Sequence, residues 1–524
     1  MNLHTQTLHL LQQTTEYIAN HHQQAYLVGG SLRNILLETP GIDWDIAITG
    51  DAPSLARQLA NKFGGHYAHF HDKAHRVIVP LTSTSTQDKQ TPNPHKEFIL
   101  DIAHLKGDII EQDLRKRDFT INAIAAPLAN VSQHLQTGEA LHLIDPLHGL
   151  ADLQAHRLKA VDSDVFRHDP LRMLRAVRFM ARYHLSIDPW TEGLLIRDSS
   201  LLLQVAPERI HDELYAILEP RGATDQLHFL DAHGLLTTLM PEFIPARGML
   251  QPRPHYWDVL EHSLQTVGTL EQLSTLLQQT PDAIQQSPLE SQAHDYLAHI
   301  QQLLQEAEQQ HIFSRATLTT PRMKLAALLH DIGKPPTYSE DAEGHIHFYA
   351  HPQVGVPLAQ QVMKRIHASN ADRRLVQQIV AHHMRPGQLA HLDAISPRAI
   401  RRYFVDLGTT GIIVALLSLA DHLATTGPLF GTSENNADTT ISSWEQHLAT
   451  VHLFLNQYIQ HRENILPPQL ISADELMRRL NLKPGPHIGR LLEAIAEAQA
   501  EGAISSRDEA FWLAEEKLNQ LNTS

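Results

Sequence analysis

The sequence predicts an α+β fold: a small mixed β-sheet with helices at the N-terminal end, followed by an all-α remainder. Short apolar runs of strand length (AYLVGG, WDIAIT, RVIVPL and EFILDIA) are confined to residues 26 to about 127. From about residue 150 onward the apolar positions recur with helical spacing. With 524 residues and 42% hydrophobic composition the chain is too long for one core, and three or four domains are expected.

The elements follow in order. MNLHTQTLHLLQQTTEYIANHH has helical periodicity and lacks the basic start and apolar run of a signal peptide or anchor. AYLV reads as a strand, Gly29 and Gly30 as a turn, and SLRNILL as a helix. WDIAIT, RVIVPL and EFILDIA are three more strands, with TSTSTQDKQTPNPH as a hairpin loop between the last two. In LRKRDFTINAIA, Arg117 and Asp118 open a helix that Asp118 caps. In HDPLRMLRAVRFMARYH, Pro170 takes the first helical position with Asp169 as its N-cap. Prolines in GMLQPRPHYW break the pattern, LEQLSTLLQQT and HIQQLLQEAEQQ read as a solvated helical hairpin, and FGTSENNADTT as a loop. A final helical module runs from ISADEL to the end, where GPHIG precedes a helix.

Composition narrows the function classes. No cysteine is present, which excludes disulfides and thiolate metal sites and suits a reducing compartment. No run approaches about twenty apolar residues, so no membrane span and no membrane partner are expected, and the chain reads as cytoplasmic. A net charge of −16 disfavours phosphate binding over the chain as a whole, but the arginines cluster locally. The 37 histidines, many in the second half, point to metal chemistry there.

Asp43 and Asp45 flank Trp44 at the start of a strand, so their carboxylates project from one face. They repel unless a cation lies between them, which suits hard divalent ions; a turn followed by solvated acids gives the same DxD pattern. Gly29 and Gly30, between strand and helix, let a phosphate approach the backbone beside Arg33. Asp101, at the end of EFILD, is a third candidate acid or a strand-end turn residue, and Arg117 a candidate triphosphate clamp. At 100° per residue Arg175, Arg178 and Arg182 fall within about 60°, with Arg172 beside them. Met173, Leu174, Val177, Met180 and Ala181 take the opposite face. Asp169 and Arg172 together offer acceptor and donor groups to a base edge.

These segments, with DPLHGLADL and PERIHDEL, occur in an order that resembles the class II tRNA nucleotidyltransferases (CCA-adding enzymes) and bacterial poly(A) polymerases, over roughly residues 26–245. The resemblance implies a nucleotidyltransferase head at 1–150 and a helical, nucleotide-selecting and RNA-binding neck and body at 151–250. It implies that Asp43 and Asp45 hold Mg²⁺, and that Gly30, Arg33 and Arg117 contact the nucleotide. Asp169 and Arg172, with Arg175 and Arg178 nearby, would read the base of CTP or ATP, and the tRNA 3′ end would be the acceptor. CCA, CC-only, A-only and poly(A) addition all remain open to these motifs. Two positions depart from the family pattern, with Asn34 where an aspartate is usual and His168 where a glutamate is usual.

His262, His330–Asp331, His351, His382–His383 and Asp421 each lie near the end of an apolar helical segment. Imidazoles and carboxylates in such places need a partner, and a metal serves all of them. Their order resembles the HD phosphohydrolase superfamily. This implies a hydrolase domain at 251–430 binding a divalent transition metal or Mg²⁺, which as the main activity would act on RNA ends or nucleotides. The tail, 431–524, resembles an RNA-binding module of some tRNA nucleotidyltransferases.

Overall fold

The computed structural model describes residues 3–39, 43–69, 74–81, 97–278, 291–427 and 437–523. The TSTSTQDKQTPNPH segment and most of FGTSENNADTT lie outside these residues, while Ala437–Thr440 open a helix rather than continue a loop. The chain forms two compact units, Met1–Val205 and Ala206–Ser524. That boundary falls within the stretch 151–250, so the arginine-rich helix belongs to the first unit.

The first unit is built on a six-stranded mixed sheet: β1 (Ala25–Val28), β2 (Asp43–Ile48), β3 (His66–His69), β4 (Ala74–Pro80), β5 (Glu97–His104) and β6 (Ala125–Pro127), in the order β3-β4-β5-β2-β1-β6. All pairs are antiparallel except β2–β5. The four strands read from sequence are present; β3 and β6 are additional.

Alternation along the strands divides the sheet's two faces. Trp44, Ile46 and Ile48 of β2 share a core with Phe98, Leu100 and Ile102 of β5, closed by Leu11, Ile18, Leu55 and Leu59 from helices Leu3–Asn20 and Ala52–Phe63. Each such side chain contributes about 1.5–3 kcal/mol by leaving water. The intervening residues, Asp43, Asp45 and Asp101, therefore fall on the other face. A one-residue slip would place the acids in the core, so burial fixes the register.

The Arg172–Tyr183 helix buries Met173, Leu174, Ala176, Val177 and Phe179, while Met180 and Ala181 are only partly covered. It starts two residues later than the sequence suggests. Asp169 is extended and its carboxylate accepts from Leu171 N–H at 3.3 Å, a local turn ahead of the helix rather than its cap. LRKRDFTINAIA is likewise not a helix. Arg117 and Asp118 lie in a turn between a helix at Ile110–Leu114 and a single 3₁₀ turn at Thr120–Asn122, because Asp118 is engaged by tertiary partners.

Among the described residues the second unit is helical, with one departure from the all-α expectation: a two-stranded hairpin, Tyr338–Glu340 with Ile346–Phe348. A two-residue parallel pair, Arg157–Leu158 with Ser186–Ile187, is the corresponding departure in the first unit. The tail helices Ala473–Leu480, Pro486–Ala500 and Arg507–Thr523 share a small core of Leu476, Leu491 and Ile495. Pro486 already begins the second of these, so GPHIG is mostly helix rather than a loop before it. Among the described residues no single helix is long and apolar enough to cross a membrane.

Candidate active site and metal centre

On the open face of the sheet, Asp45 of β2 lies in register with Asp101 of β5, which lies in register with Arg76 of β4. Residues paired in this way share a face, and Asp43 joins them two positions from Asp45. Arg76 binds Asp101 through both oxygens, at 2.8 and 2.7 Å. Burial raises Asp43 and Asp45 above the usual carboxylate range, and the nearby Asp101 charge adds to this for both. Two raised carboxylates on one face are short of positive charge, the condition a divalent cation relieves. Ser31 restrains Asp45: its hydroxyl donates to Oδ2 at 3.0 Å and accepts from the Asp45 N–H at 2.7 Å.

Gly29 begins the Gly29–Leu36 helix at φ +64°, where a side chain is strained, and an added Cβ would come within 2.9 Å of Arg117 Nη1. Arg117 is held by Asp113 at 2.8 Å, one turn before it. Arg33 is buried, bonds Asn122, Asn34 and the Tyr183 hydroxyl, and stacks over the Tyr183 ring at 4.2 Å. Burial lowers its pKa. Asn122 donates to Asp118 Oδ1 at 3.0 Å, and Arg175 grips Asp118 Oδ2 at 3.1 and 2.8 Å. Although burial favours its neutral form, Arg175 and the bonds from Asn122 and Phe119 N–H hold Asp118 well below the usual range. Phe179 lies under the guanidinium groups of Arg175 and Arg178, at 5.2 and 4.7 Å.

The result is a cleft of about 620 Å³ lined by Asp43, Asp45 and Asp101 together with Gly29, Gly30, Arg33, Arg117, Arg175, Arg178 and Arg182. Asp169 and Arg172 do not line it. Arg172 instead bonds the carbonyls of Lys116, Arg117 and Val165. Arg76, Ser31, Asn122 and Tyr183 were missed by sequence reasoning. Arg76 had a signal, since RVIVPL places an arginine on the non-core side of a strand, but only the register sets it opposite Asp101.

In the second unit, the helices Val259–Gln278, Pro321–Leu329, His351–Arg365, Asn370–His382 and Thr410–Thr426 and their ends bring six of the seven sequence-predicted residues together. His262 Nε2 is 2.9 Å from Asp421, His330 Nε2 3.2 Å from Asp331, and His351 and His383 Nε2 are 3.2 and 3.4 Å from Asp331. The far ring nitrogens of His330, His351 and His383 contact the carbonyls of Ala327, Phe348 and Val380, which turns each Nε2 inward. His330 Nε2 and Asp331 Oδ1 are buried without an aligned hydrogen bond, as side chains aimed at a common point would be. The His262–His330–Asp421 and His330–Asp331–His383 sets each have ligand atoms within 4.8 Å of one another, so this donor set fits a divalent ion.

Burial works against a charged His330, but Asp331 and Asp421 outweigh it and raise its pKa to about 10. Without an ion, a proton there balances the two acids. His382 is the exception among the predicted ligands: it is half-buried beside Arg385 and outside the cluster. Consecutive helical residues point about 100° apart, so only His383 of the pair can face inward. Lys334, missed from HDIGK, reaches Asp331 at 2.6 Å.

A mixed sheet with paired acids facing a guanidinium-rich cleft, joined to a helical unit with a histidine–aspartate centre, defines a nucleotidyltransferase that carries an HD domain. The Poly A polymerase head domain family matches residues 25–159, the probable RNA- and SrmB-binding site of polymerase A residues 184–247, and the HD domain residues 300–426. The A-adding tRNA nucleotidyltransferase of Deinococcus radiodurans is 32% identical over 93% of this chain and 94% of its own length. The CC-adding tRNA nucleotidyltransferase of Thermus thermophilus is 27% identical over 93% and 92%. A structure of a CCA-adding enzyme with ATP shares the fold (TM-score 0.58, 18% identity, 99% of this chain and 96% of that one), as does the Thermotoga maritima CCA-adding enzyme complexed with tRNA (0.53, 18%, 97% and 95%). The chain belongs to the tRNA nucleotidyltransferase family.

Proposed function

We propose that the protein adds CMP and AMP, from CTP and ATP, to the 3′ end of tRNA in the cytoplasm. The observation that carries this reading is the single cleft lined by Asp43, Asp45, Asp101, Gly29, Gly30 and Arg33, with the Asp45 carboxylate beside the two glycines. Asp43 and Asp45 would hold Mg²⁺, and Asp101, neutralised by Arg76, would fix the local charge. Two bound ions would supply a lowered pKa at the RNA 3′-hydroxyl and neutralisation of the triphosphate.

The chain's own groups do the positioning. Gly29 and Gly30 leave room for phosphate oxygens beside the backbone, while Arg117 and Arg33 bring positive charge to them. Arg175 and Arg178, braced on Phe179, face the nucleotide. Asp169 and Arg172 read the base edge once Arg172 exchanges its carbonyl partners for the nucleotide. The functional division is head 1–150, neck and body 151–250, HD domain 251–430 and an RNA-binding tail 431–524. The HD centre, built by His262, His330, Asp331, His351, His383 and Asp421, would hydrolyse phosphoesters of RNA ends or nucleotides with a divalent transition metal or Mg²⁺.

A second reading, A-only addition, is favoured by the higher identity to the A-adding relative than to the CC-adding one. Purified protein, tRNA ending at the discriminator base, C or CC, labelled CTP or ATP and Mg²⁺ separate the two. Extension of every substrate to CCA and no further supports the first reading. A single adenosine on the CC end alone supports the second. Asp43→Ala should abolish addition in either case, and no extension by the wild type would overturn both.

A further inference from the structure

The Tyr338–Phe348 hairpin carries a second group of metal-binding side chains, separate from the buried HD centre. Asp341 and His345 lie in its loop and His347 on its returning strand. Asp341 Oδ1 accepts the N–H groups of Glu343 and His345 at 3.1 and 2.8 Å, which fixes the carboxylate plane. The other oxygen, Oδ2, points at two imidazoles: His345 Nδ1 at 3.1 Å and His347 Nε2 at 2.9 Å. Glu343 completes the group, its carboxylate lying within 4.8 Å of the ligand atoms of Asp341 and His345.

Ligands about 2.0–2.1 Å from a tetrahedral ion stand about 3.3 Å apart, close to both observed Asp–His separations. Two imidazoles and two carboxylates are a borderline donor set, suited to Zn²⁺, Co²⁺ or Ni²⁺ rather than to Mg²⁺ or Ca²⁺. All the groups are reachable from water, with His345 71% and Asp341 and His347 each 32% exposed. The two hydrogen bonds to Oδ2 would be exchanged for coordination, with each proton moving to the other ring nitrogen or to solvent.

We infer that Asp341, His345 and His347, with Glu343, form a surface site for a borderline divalent transition metal. Its position gives it a consequence. Ile346, His347, Phe348 and Tyr349 wall the roughly 810 Å³ pocket that opens onto the HD centre, and His351 follows two residues after Tyr349. An ion in the hairpin would cross-link its loop to its returning strand and stiffen that wall.

The test uses the full chain stripped with chelator, then titrated with Zn²⁺ by calorimetry and with Co²⁺ by visible absorption, as wild type and as the His345→Ala/His347→Ala double variant. The wild type should bind one equivalent more than the double variant. Its amide exchange across residues 338–348 should slow at least about tenfold with Zn²⁺ at about ten times the dissociation constant. The double variant should retain binding at the HD centre, which reports that it is folded, and should show no slowing in the hairpin. Glu343→Gln should weaken binding without removing it. Equal stoichiometry in the two proteins, or hairpin exchange unchanged by Zn²⁺, would overturn the assignment.

Discussion

Ser31 accepts from the Asp45 N–H, and its one hydroxyl proton is shared between the Asp45 carboxylate at 3.0 Å and the Asp43 carbonyl at 2.9 Å. One hydroxyl thus ties the Gly29–Leu36 helix to both acids without being an acid itself. Outer contacts of this kind are worth about 10–100-fold in metal affinity or activity. Ser31→Ala should therefore lower nucleotide addition by that factor, with partial recovery at raised Mg²⁺, as measured by initial rates across a Mg²⁺ series. Loss of activity that Mg²⁺ does not relieve would instead indicate a fold defect. The residue scale also shows where sequence reading stopped. The DxD pair and the HD ligands are chemically conspicuous, whereas a serine, an asparagine and a lysine acquire their meaning only from what they face.

At the scale of elements, the Arg172–Tyr183 helix is joined to the Gly29–Leu36 helix through Arg175, Asp118, Asn122 and Arg33 in series. Asp118 lies in a turn because these partners draw it inward, where the sequence predicts a helix cap. Its folded pKa is below the unfolded value, so its contribution to stability is present above about pH 4 and is lost as the pH falls. Asp118→Asn should cost about 1.5–3 kcal/mol at neutral pH, the range for hydrogen bonds to charged groups. It should also flatten the acid limb of the stability curve, which thermal melts from pH 7 down to about pH 3 would reveal. An unchanged acid limb would mean that other carboxylates govern it. Periodicity located this helix and its arginine stripe; the neighbouring turn, decided by tertiary hydrogen bonds, left no periodic mark.

At the scale of the molecule, the second unit contains a buried ion pair on two of the helices that carry its metal centre. Lys324 Nζ lies 2.6 Å from Glu271 and bonds the Leu218 and Pro220 carbonyls at 2.6 Å each, while Glu271 accepts from Gly222 N–H at 2.9 Å. Lys324→Ala would leave a buried carboxylate without its cation, at a cost of about 3–5 kcal/mol. Replacing both partners with apolar residues of similar volume should recover most of that loss. Denaturant titrations of the single and double variants would check this, and equal losses in the two would sink the pairing argument.

The sequence by itself determined the α+β class, the strands that bear the acids, and the identity of most metal-binding side chains. Those properties follow from period-2 and period-3.6 burial and from the chemistry of Asp and His, which are written locally. Only the tertiary structure decided that Arg76 neutralises Asp101, that His383 and not His382 faces the HD centre, and that Asp118 anchors a network instead of capping a helix. It also placed Asp341 against two imidazoles. Each of these depends on strand register, helix rotation or loop closure between residues distant in sequence or competing for one position, and no local pattern encodes such a choice.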